Sequence, residues 1–417
     1  MDMMRPLTNL SLFVTENCNL ACDYCFLNKR DKKEINVDTA HRAVDFFIQQ
    51  SKDENHLHLS FWGGEPLLSL QLIQRLVDYA TRKAQSAGKS IRYSIPTNCT
   101  VFNDQALEFI KSNNIYLSLS IDGTDVSQSL RRTAEGHSSY PAVKENLKLI
   151  EMKGVSYLTS VRKTVTPDTV VNLYKDIMFF LDHGLRRITF SPVMETEWPE
   201  KKLEIFEEQQ LKIADHWIRS LRSDESYSIK LWDEMLTERI LLTKPDPWCQ
   251  AGVSSLAVDV DGNLFPCHRF VYYDYLTHTH CLGDIHSGLK EDSLYRMYNT
   301  ITSENMTART QGCTTCLYTD RCRLFCPAIN FKLTGDALRN EPWLCRFVMV
   351  CEHVVEYIIK TMGAEKKLYA YLTEKPDERI GFRFSEKQID GITEIAYGTL
   401  ADMHGEERIA KASREAD

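Results

Sequence analysis

Three cysteines near the start of the chain are close enough together to hold an inorganic cluster. Cys18, Cys22 and Cys25 lie in the segment Thr-Glu-Asn-Cys-Asn-Leu-Ala-Cys-Asp-Tyr-Cys-Phe, shortly after the apolar run Leu10 to Val14. An odd set of cysteines in so short a loop does not suit disulfides, and three thiolates are one ligand short of a tetrahedral zinc site. Thiolates hold iron–sulfur clusters, and three ligands on a four-iron cube leave one iron open to a group that is not protein. The spacing therefore predicts a four-iron cluster with one exchangeable corner.

The second half of the chain carries a further constellation of seven cysteines. Its members are Cys249, Cys267, Cys313, Cys316, Cys322, Cys326 and Cys345, with Gly262 between the first two. A zinc ribbon also uses paired C-x2-C units, but it would explain four of these cysteines and leave three idle. The pattern favours additional metal clusters.

Composition and charge limit the classes of function. The chain has 417 residues, 43% hydrophobic content, 13 cysteines and a formal net charge of −8. The acidic balance argues against non-specific binding of nucleic acid. The start of the chain has no apolar signal core, and no stretch approaches the length of a membrane span. We therefore expect a cytoplasmic, oxygen-sensitive protein whose cysteines bind metal rather than form disulfides.

Short apolar runs alternate with longer amphipathic stretches over the first half of the chain. The predicted strands are Leu10–Val14, His56–Trp62, Ile91–Pro96, Ile115–Ile121, Ser156–Val161 and Arg187–Ser191. The predicted helices are Asp38–Ser51, Ser69–Ala87, Asp104–Ser112, Ala142–Lys153 and Pro167–His183. The last has Thr166 as its predicted N-cap and Pro167 at the first helical position. This alternation predicts an α/β fold with a parallel sheet.

The triple-cysteine loop after a strand resembles the radical S-adenosylmethionine (SAM) superfamily, and the downstream cysteine order resembles the SPASM domain that binds two auxiliary 4Fe-4S clusters. The resemblance implies a partial (β/α)6 radical SAM barrel with a C-terminal SPASM domain. It also implies SAM and three 4Fe-4S clusters as cofactors, and a flavodoxin or ferredoxin-type electron donor. The expected domains are the radical SAM core over 1–195, a helical bridge over 196–245, the SPASM domain over 246–363, and a charged, partly helical tail over 364–417.

A Gly-Gly-Glu-Pro segment follows the second predicted strand. Two glycines allow close approach of the backbone to a ligand, and a carboxylate accepts hydrogen bonds from an ammonium group. By itself such a segment is most often a simple turn between a strand and a helix. In the resembled family it contacts the amino end of SAM, which implies cofactor-binding roles for Gly63, Gly64, Glu65 and Pro66.

Three more positions match SAM contacts of anaerobic sulfatase-maturating enzymes, which the chain resembles across nearly its whole core. The resemblance implies that Ser120 and Arg132 bind the SAM carboxylate and that Val193 packs near adenine. Tyr24, inside the cluster loop, is a further candidate contact of the adenosyl portion. A guanidinium fork suits a carboxylate. The alternatives are an exposed salt bridge for Arg132, a strand-end cap for Ser120 and a core position for Val193.

The SPASM resemblance also assigns the later cysteines. Auxiliary cluster II takes Cys313, Cys316, Cys322 and Cys345, and auxiliary cluster I takes Cys249, Cys267 and Cys326. Sulfatase maturases have a further upstream cysteine, but none lies between Cys99 and Cys249 here. The fourth iron of cluster I is therefore open, or it is filled by Cys281 or Cys351, each of which is equally well explained as a small buried side chain.

The residue after Cys267 departs from the sulfatase maturases, which carry an aspartate base there. This chain has His268 in the sequence Cys-His-Arg-Phe, which looks more like SPASM enzymes that mature ribosomally made peptides. Imidazole can take a proton near neutrality, so we assign His268 as a candidate catalytic base, with a non-catalytic histidine as the alternative.

Two classes of function remain. The first is an oxidoreductase or peptide maturase that abstracts hydrogen from a peptide or protein, giving a thioether, another crosslink or an oxidised residue. The second is an enzyme of the same chemistry that makes formylglycine in a sulfatase or acts on a small molecule or cofactor precursor. Neither requires nucleic acid or a membrane.

Overall fold

The computed structural model describes residues 6–27, 32–240, 249–274, 276–290, 312–316, 318, 322, 326–363 and 365–373. The chain divides into two compact units. The first comprises Met1–Thr164, Val193–Glu197 and Pro247–Leu344, and the second comprises Val165–Pro192, Trp198–Asp246 and Cys345–Asp417. Within the described residues, no helix is both long enough and apolar enough to cross a bilayer.

The first unit is organised around a mostly parallel sheet. Its strands are β1 (Asn9–Thr15), β2 (His56–Gly63), β3 (Ser90–Thr97), β4 (Tyr116–Leu119), β5 (Thr159–Val165), β8 (Ser255–Val258), β9 (Asn263–Phe265), β10 (Gly283–Asp284) and β11 (Gly288–Leu289). They are ordered β11-β10-β9-β8-β1-β2-β3-β4-β5. Strands β8 and β1 to β5 run parallel, and β9 to β11 join them in antiparallel pairs.

Strand β1 lies inside this sheet, with β2 on one side and β8 on the other. Its sequence Asn-Leu-Ser-Leu-Phe-Val-Thr is almost continuously buried, as expected for a parallel strand that is covered on both faces. Amphipathic helices supply the cover. The helices of this unit are α1 (Val37–Gln50), α2 (Leu70–Ser86), α3 (Asp104–Ser112), α4 (Asp125–Gln128), α5 (Tyr140–Met152), α9 (Phe270–Tyr273) and α10 (Pro327–Thr334).

The second unit is largely helical. Its elements are α6 (Leu173–Asp182), β6 (Arg187–Pro192), α7 (Glu200–Arg222), β7 (Ser228–Ile229), α8 (Lys230–Ile240), α11 (Cys345–Met362) and α12 (Lys366–Thr373). Trp198 packs edge-on against Phe347 at 5.2 Å, and Arg239 forms a nearly buried ion pair with Glu352. These contacts fix α11 within the unit.

The predicted α/β class and its strand–helix alternation are confirmed, with differences at three places. Ser156–Leu158 is a 3-10 turn, so β5 begins only at Thr159. The predicted helix from Pro167 begins at Leu173, because Thr166 and Thr169 bond to each other's hydroxyl and backbone groups in a separate turn. In the predicted helical bridge, Ser228–Ile229 instead pairs with β6 as a short parallel strand.

Parallel strands align their carboxyl ends, and in this unit those ends carry the residues of interest. The cysteine loop follows β1, Gly63 ends β2 and Gly64 follows it, Asn98 follows β3, and Ser120 follows β4. One edge of the sheet therefore gathers segments that are far apart in sequence.

Candidate functional site

The cysteine loop is held in place by its own backbone and by a segment after α4. The amide of Cys25 donates to the carbonyl of Cys22 at 3.1 Å, which closes a tight turn. Ala21 donates to the carbonyl of Arg132 at 2.6 Å, and Asp23 donates to that of Leu130 at 3.0 Å. The loop therefore pairs with the chain at 130–132, and the positions of its thiols depend on that segment.

Both glycines of the Gly-Gly-Glu-Pro segment lie directly against this loop. A Cβ at Gly63 would come within 2.0 Å of the Thr15 carbonyl oxygen, and Gly63 has a φ of +153°. A Cβ at Gly64 would come within 2.3 Å of the Asn17 carbonyl oxygen and 2.8 Å of the Cys18 Cβ. The glycines are therefore needed for the packing of the cysteine loop on β2.

Glu65 has a structural environment that the sequence did not indicate. Its side chain is fully buried and accepts hydrogen bonds from the Leu67 amide at 3.1 Å, the Thr97 hydroxyl at 2.8 Å and the Asn98 amide at 2.6 Å. Burial raises the pKa of Glu65 to about 7, although these three donors favour the ionised form. The carboxylate thus ties the ends of β2 and β3 together.

Asn98 links the buried Glu65 carboxylate to the first cysteine. The side-chain amide nitrogen of Asn98 lies 3.9 Å from Cys18 Sγ and donates to the Asn19 side chain at 2.9 Å. Asn19 in turn donates to the Thr100 hydroxyl at 2.8 Å. The Leu20 amide lies 3.4 Å from the same sulfur, so Leu20 and Asn98 both direct N–H groups at Cys18.

A buried ion pair lies beside the second cysteine. The Nε of Arg131 is 3.1 Å from Asp122 Oδ2, and both side chains are under a tenth exposed. The Nη1 of Arg131 is 3.9 Å from Cys22 Sγ, and its guanidinium lies 5.4 Å from the centre of the Tyr24 ring. The Tyr24 hydroxyl donates to Asp122. Asp122 and Arg131 therefore fix the position of the Tyr24 side chain within the loop.

Three of the predicted SAM-contacting residues occupy more open positions. Arg132 is exposed, pairs with Asp23, and lines a pocket of about 280 Å³. The other residues lining it are Ser129, Leu130, Gly136 and Ser138. Ser120 donates its backbone amide to Thr97 at 2.7 Å, and its side chain is half-buried at the end of β4. Val193 is also half-buried and directly follows β6. Their contacts with SAM stay predictions.

The donor set of the loop fits an iron–sulfur cluster. Burial raises the pKa of Cys18 to about 11 and also raises those of Cys22 and Cys25. The thiolate forms therefore need stabilisation by a cation such as iron. Within the described residues, no three Cys, His, Asp or Glu side chains converge as ligands of a single metal ion. A four-iron cluster instead binds each thiolate to a separate iron.

The later cysteines lie at the ends of short elements. Cys267 lies two residues after β9, Cys313 begins a 3-10 turn, and Cys326 is the N-cap of α10 with Pro327 behind it. Cys345 is the first residue of α11. Helix N-termini favour thiolate over thiol, so the last two are suited to metal ligation. Their assignment to two auxiliary clusters stays a prediction.

His268 packs against the strand that carries the glycines. Its ring stacks on Trp62 with centroids 4.0 Å apart, and burial together with Arg162 and Arg269 lowers its pKa well below the usual value. The imidazole is therefore neutral at physiological pH, with one unprotonated ring nitrogen, and the same lowering of its pKa makes it a weak base. Arg269 turns towards the cysteine loop, with its guanidinium 5.3 Å from the Phe26 ring and 2.9 Å from Glu195.

Sequence reasoning missed the residues that support the loop. Asn98, Asp122 and Arg131 were not singled out, although the first two follow the carboxyl ends of β3 and β4. That placement was the available signal, since side chains at this edge of a parallel sheet surround the bound ligand. Nothing in the sequence distinguished the buried Arg131 from the exposed Arg132.

The chain is similar in sequence to a known superfamily and to several known proteins. Residues 12–177 match the family model described as the Radical SAM superfamily. An uncharacterized protein of Methanocaldococcus jannaschii is 31% identical over 189 residues, which cover 45% of this chain and 63% of that protein. The chain thus spans under two thirds of that relative. A serine-type anaerobic sulfatase-maturating enzyme of Bacteroides thetaiotaomicron is 24% identical over 398 residues, covering 85% of this chain and 91% of that enzyme.

Solved structures share the fold. Native anSMEcpe with bound AdoMet and Kp18Cys peptide superposes with a TM-score of 0.70 at 19% identity, covering 85% of this chain and 99% of that one. The superposition therefore includes more of the chain than residues 12–177, which match the family model. The predicted radical SAM fold is therefore confirmed.

Proposed function

We propose that this chain, a radical SAM enzyme, abstracts hydrogen from a peptide or protein substrate and so modifies it after translation. The observation that carries the proposal is the loop of Cys18, Cys22 and Cys25, which packs directly on Gly64 at the carboxyl edge of a parallel sheet. Three thiolates in one rigid loop leave the fourth iron of a cluster open for SAM.

The residues have distinct roles in this proposal. The three cysteines hold the cluster. Gly63, Gly64 and the hydrogen-bonded Glu65 carboxylate set the position of the cysteine loop. Arg132 binds the SAM carboxylate with Ser120, and Tyr24 and Val193 contact the adenosyl part. When bound, SAM and the reduced cluster supply a 5′-deoxyadenosyl radical. An external flavodoxin or ferredoxin-type protein provides the electron.

The seven later cysteines support a peptide or protein as substrate. We assign Cys313, Cys316, Cys322 and Cys345 to auxiliary cluster II, and Cys249, Cys267 and Cys326 to auxiliary cluster I. The alignment with a sulfatase-maturating enzyme covers 85% of this chain. We propose that cluster I keeps an open iron near the substrate. The thiol of Cys281, an alternative fourth ligand, instead donates to the Gly283 carbonyl at 3.3 Å.

Formylglycine formation is the second candidate function, favoured by the same alignment. The aspartate base of sulfatase maturases would then be replaced by His268. A peptide containing Cys-x-Pro-x-Arg distinguishes the two candidates, since its conversion to an aldehyde identifies a sulfatase maturase.

The experiment is an anaerobic reaction of the full chain with SAM, a chemical reductant and a display library of random peptides that each contain one cysteine. The library is made with deuterated amino acids. We expect a subset of peptides to lose two hydrogen atoms. One is transferred as deuterium into 5′-deoxyadenosine, and the other leaves as a proton while its electron would pass to an auxiliary cluster. Cleavage of SAM with no modified peptide and no transferred deuterium would exclude a peptide substrate and point to a small molecule.

Replacing Arg132 by alanine tests the predicted carboxylate contact. Arg132→Ala should weaken SAM binding by about 1.5–3 kcal/mol, the scale of a hydrogen bond to a charged group, with iron content unchanged. Anaerobic calorimetry measures the affinity. The matched control is Asp23→Ala, which removes the partner of Arg132 and should not weaken SAM binding. Equal SAM affinity in Arg132→Ala and the unmodified protein would place Arg132 outside the SAM site.

Replacing His268 separates a proton acceptor from a packing group. His268→Ala should lower peptide turnover by about 100-fold, the lower end of the range for loss of a general base, with little change in thermal stability. His268→Phe is the control because it preserves an aromatic stack on Trp62 and lacks a proton acceptor. Retained turnover in His268→Phe would show that the histidine acts by packing alone.

A further inference from the structure

Two neighbouring arginines beside the cysteine loop differ sharply in their surroundings. Arg131 is only 7% exposed, and its Nη1 lies 3.9 Å from Cys22 Sγ. The side chain of Arg132 is 46% exposed and pairs with Asp23 at the surface. An exposed charge is screened by water and salt, whereas a buried charge acts strongly on its neighbours. Arg131 is therefore the arginine whose charge Cys22 experiences.

Asp122 fixes and partly neutralises Arg131. Besides the ion pair at 3.1 Å, this carboxylate accepts from the Thr164 amide at 3.0 Å and from the Tyr24 hydroxyl. Lys163 donates to the main-chain carbonyl of Asp122 at 2.7 Å, and the Asp122 amide donates to Gln128 at 2.8 Å. A residue with this many partners has a defined position, so the guanidinium is held at a fixed distance from the sulfur.

The two charges act on Cys22 in opposite directions. An N–H donor and a positive charge next to a ligating thiolate stabilise the reduced cluster, which carries one more electron. A buried carboxylate paired with that guanidinium opposes its positive charge and so disfavours the extra electron. The balance between the two charges therefore influences how readily the cluster accepts an electron.

We propose that Arg131 and Asp122 form a buried positioning pair that sets the one-electron reduction potential of the cluster held through Cys22, with Arg131 raising the potential and Asp122 lowering it. The inference rests on the proposed assignment of Cys22 as a cluster ligand. It concerns electron uptake before any substrate binds, and neither side chain needs to touch SAM.

The experiment is a redox titration of the reconstituted full chain without SAM, followed by electron paramagnetic resonance. The variant Cys18→Ala/Cys22→Ala/Cys25→Ala supplies the signal of the remaining clusters for subtraction. At a fixed potential, Arg131→Met should lower the ratio of reduced to oxidised cluster roughly tenfold, which is about 59 mV for one electron. Asp122→Asn should raise the same ratio by a similar factor. Arg132→Met removes an equal charge one residue away and should change the ratio by less than about twofold because that charge is solvent-screened.

Shifts of opposite sign in Arg131→Met and Asp122→Asn would support the proposal, because a purely structural role would move both variants in the same direction or in neither. Unchanged potentials, or shifts of the same sign, in variants that retain their iron would overturn it. If Arg131→Met loses the cluster, Asp122→Asn decides alone, and a potential that does not rise overturns the inference. Absence of the subtractable signal in the unmodified protein would instead refute the assignment of Cys22 and hence the proposed function.

Discussion

The triple variant Cys18→Ala/Cys22→Ala/Cys25→Ala should lose about four of about twelve irons and all formation of 5′-deoxyadenosine. In the proposed assignment the ten cysteines hold three clusters, and SAM binds the open iron of the loop cluster alone. The auxiliary clusters have other ligands and should remain. Iron analysis after anaerobic reconstitution, together with chromatography of the SAM cleavage products, measures both quantities.

A second cysteine variant is the control for the triple variant. Cys99 is buried at the same edge of the sheet but is not assigned as a ligand, so Cys99→Ser should keep its full iron content and its SAM cleavage. Undiminished formation of 5′-deoxyadenosine in the triple variant would refute the assignment of these cysteines. Loss of all iron would show that the auxiliary clusters depend on the loop cluster for assembly.

Gly64→Ala should have the second largest effect, because the added methyl group has no space. Its Cβ would lie 2.3 Å from the Asn17 carbonyl oxygen and 2.8 Å from the Cys18 Cβ, so the cysteine loop must move away from β2. Overpacking of this kind costs about 1–3 kcal/mol, or roughly 5- to 150-fold in occupancy of the correctly placed loop. We expect iron in the loop cluster and SAM cleavage to fall together by such a factor.

Gly88 provides the control for this substitution. It has a φ of +71°, and a Cβ at this position would have no neighbouring atom within 4 Å. Gly88→Ala therefore introduces backbone strain of about 1–2 kcal/mol without a clash. Its stability should fall slightly, while iron content and SAM cleavage stay unchanged. Equal SAM cleavage in Gly64→Ala and the unmodified protein would contradict the packing role of Gly64.

The sequence predicted the parallel sheet well because short β-rich runs alternate with longer stretches that have apolar residues at helical spacing. Asp104–Ser112 was predicted with its observed limits, since Asn103 caps it through its side chain. The helix predicted from Pro167 was placed too early. There the run Thr169, Val170 and Val171 is β-branched, which weakens helix formation, and the paired threonines form their own turn.

The sequence predicted the site residues that a motif spacing identifies. It did not predict residues whose role depends on whether their side chain is buried. Cysteine spacing identified the loop, and Gly-Gly-Glu-Pro identified the segment beside it. By contrast, the sequence did not indicate that the Glu65 carboxylate accepts three hydrogen bonds from protein donors, while its predicted contact with a ligand ammonium stays a prediction. Likewise, only the fold reveals that Arg131 is buried beside Cys22 and Arg132 is exposed, because adjacent residues leave a turn in different directions.

The central claim is that Cys18, Cys22 and Cys25 hold a cluster whose open iron binds SAM, and electron–nuclear double resonance tests it most directly. The measurement uses the reduced full chain with SAM that carries nitrogen-15 in its amino group. We predict a nitrogen hyperfine coupling to the cluster in the unmodified protein and its absence in the triple cysteine variant. Bound SAM without any such coupling, or a coupling that persists in the triple variant, would contradict the account.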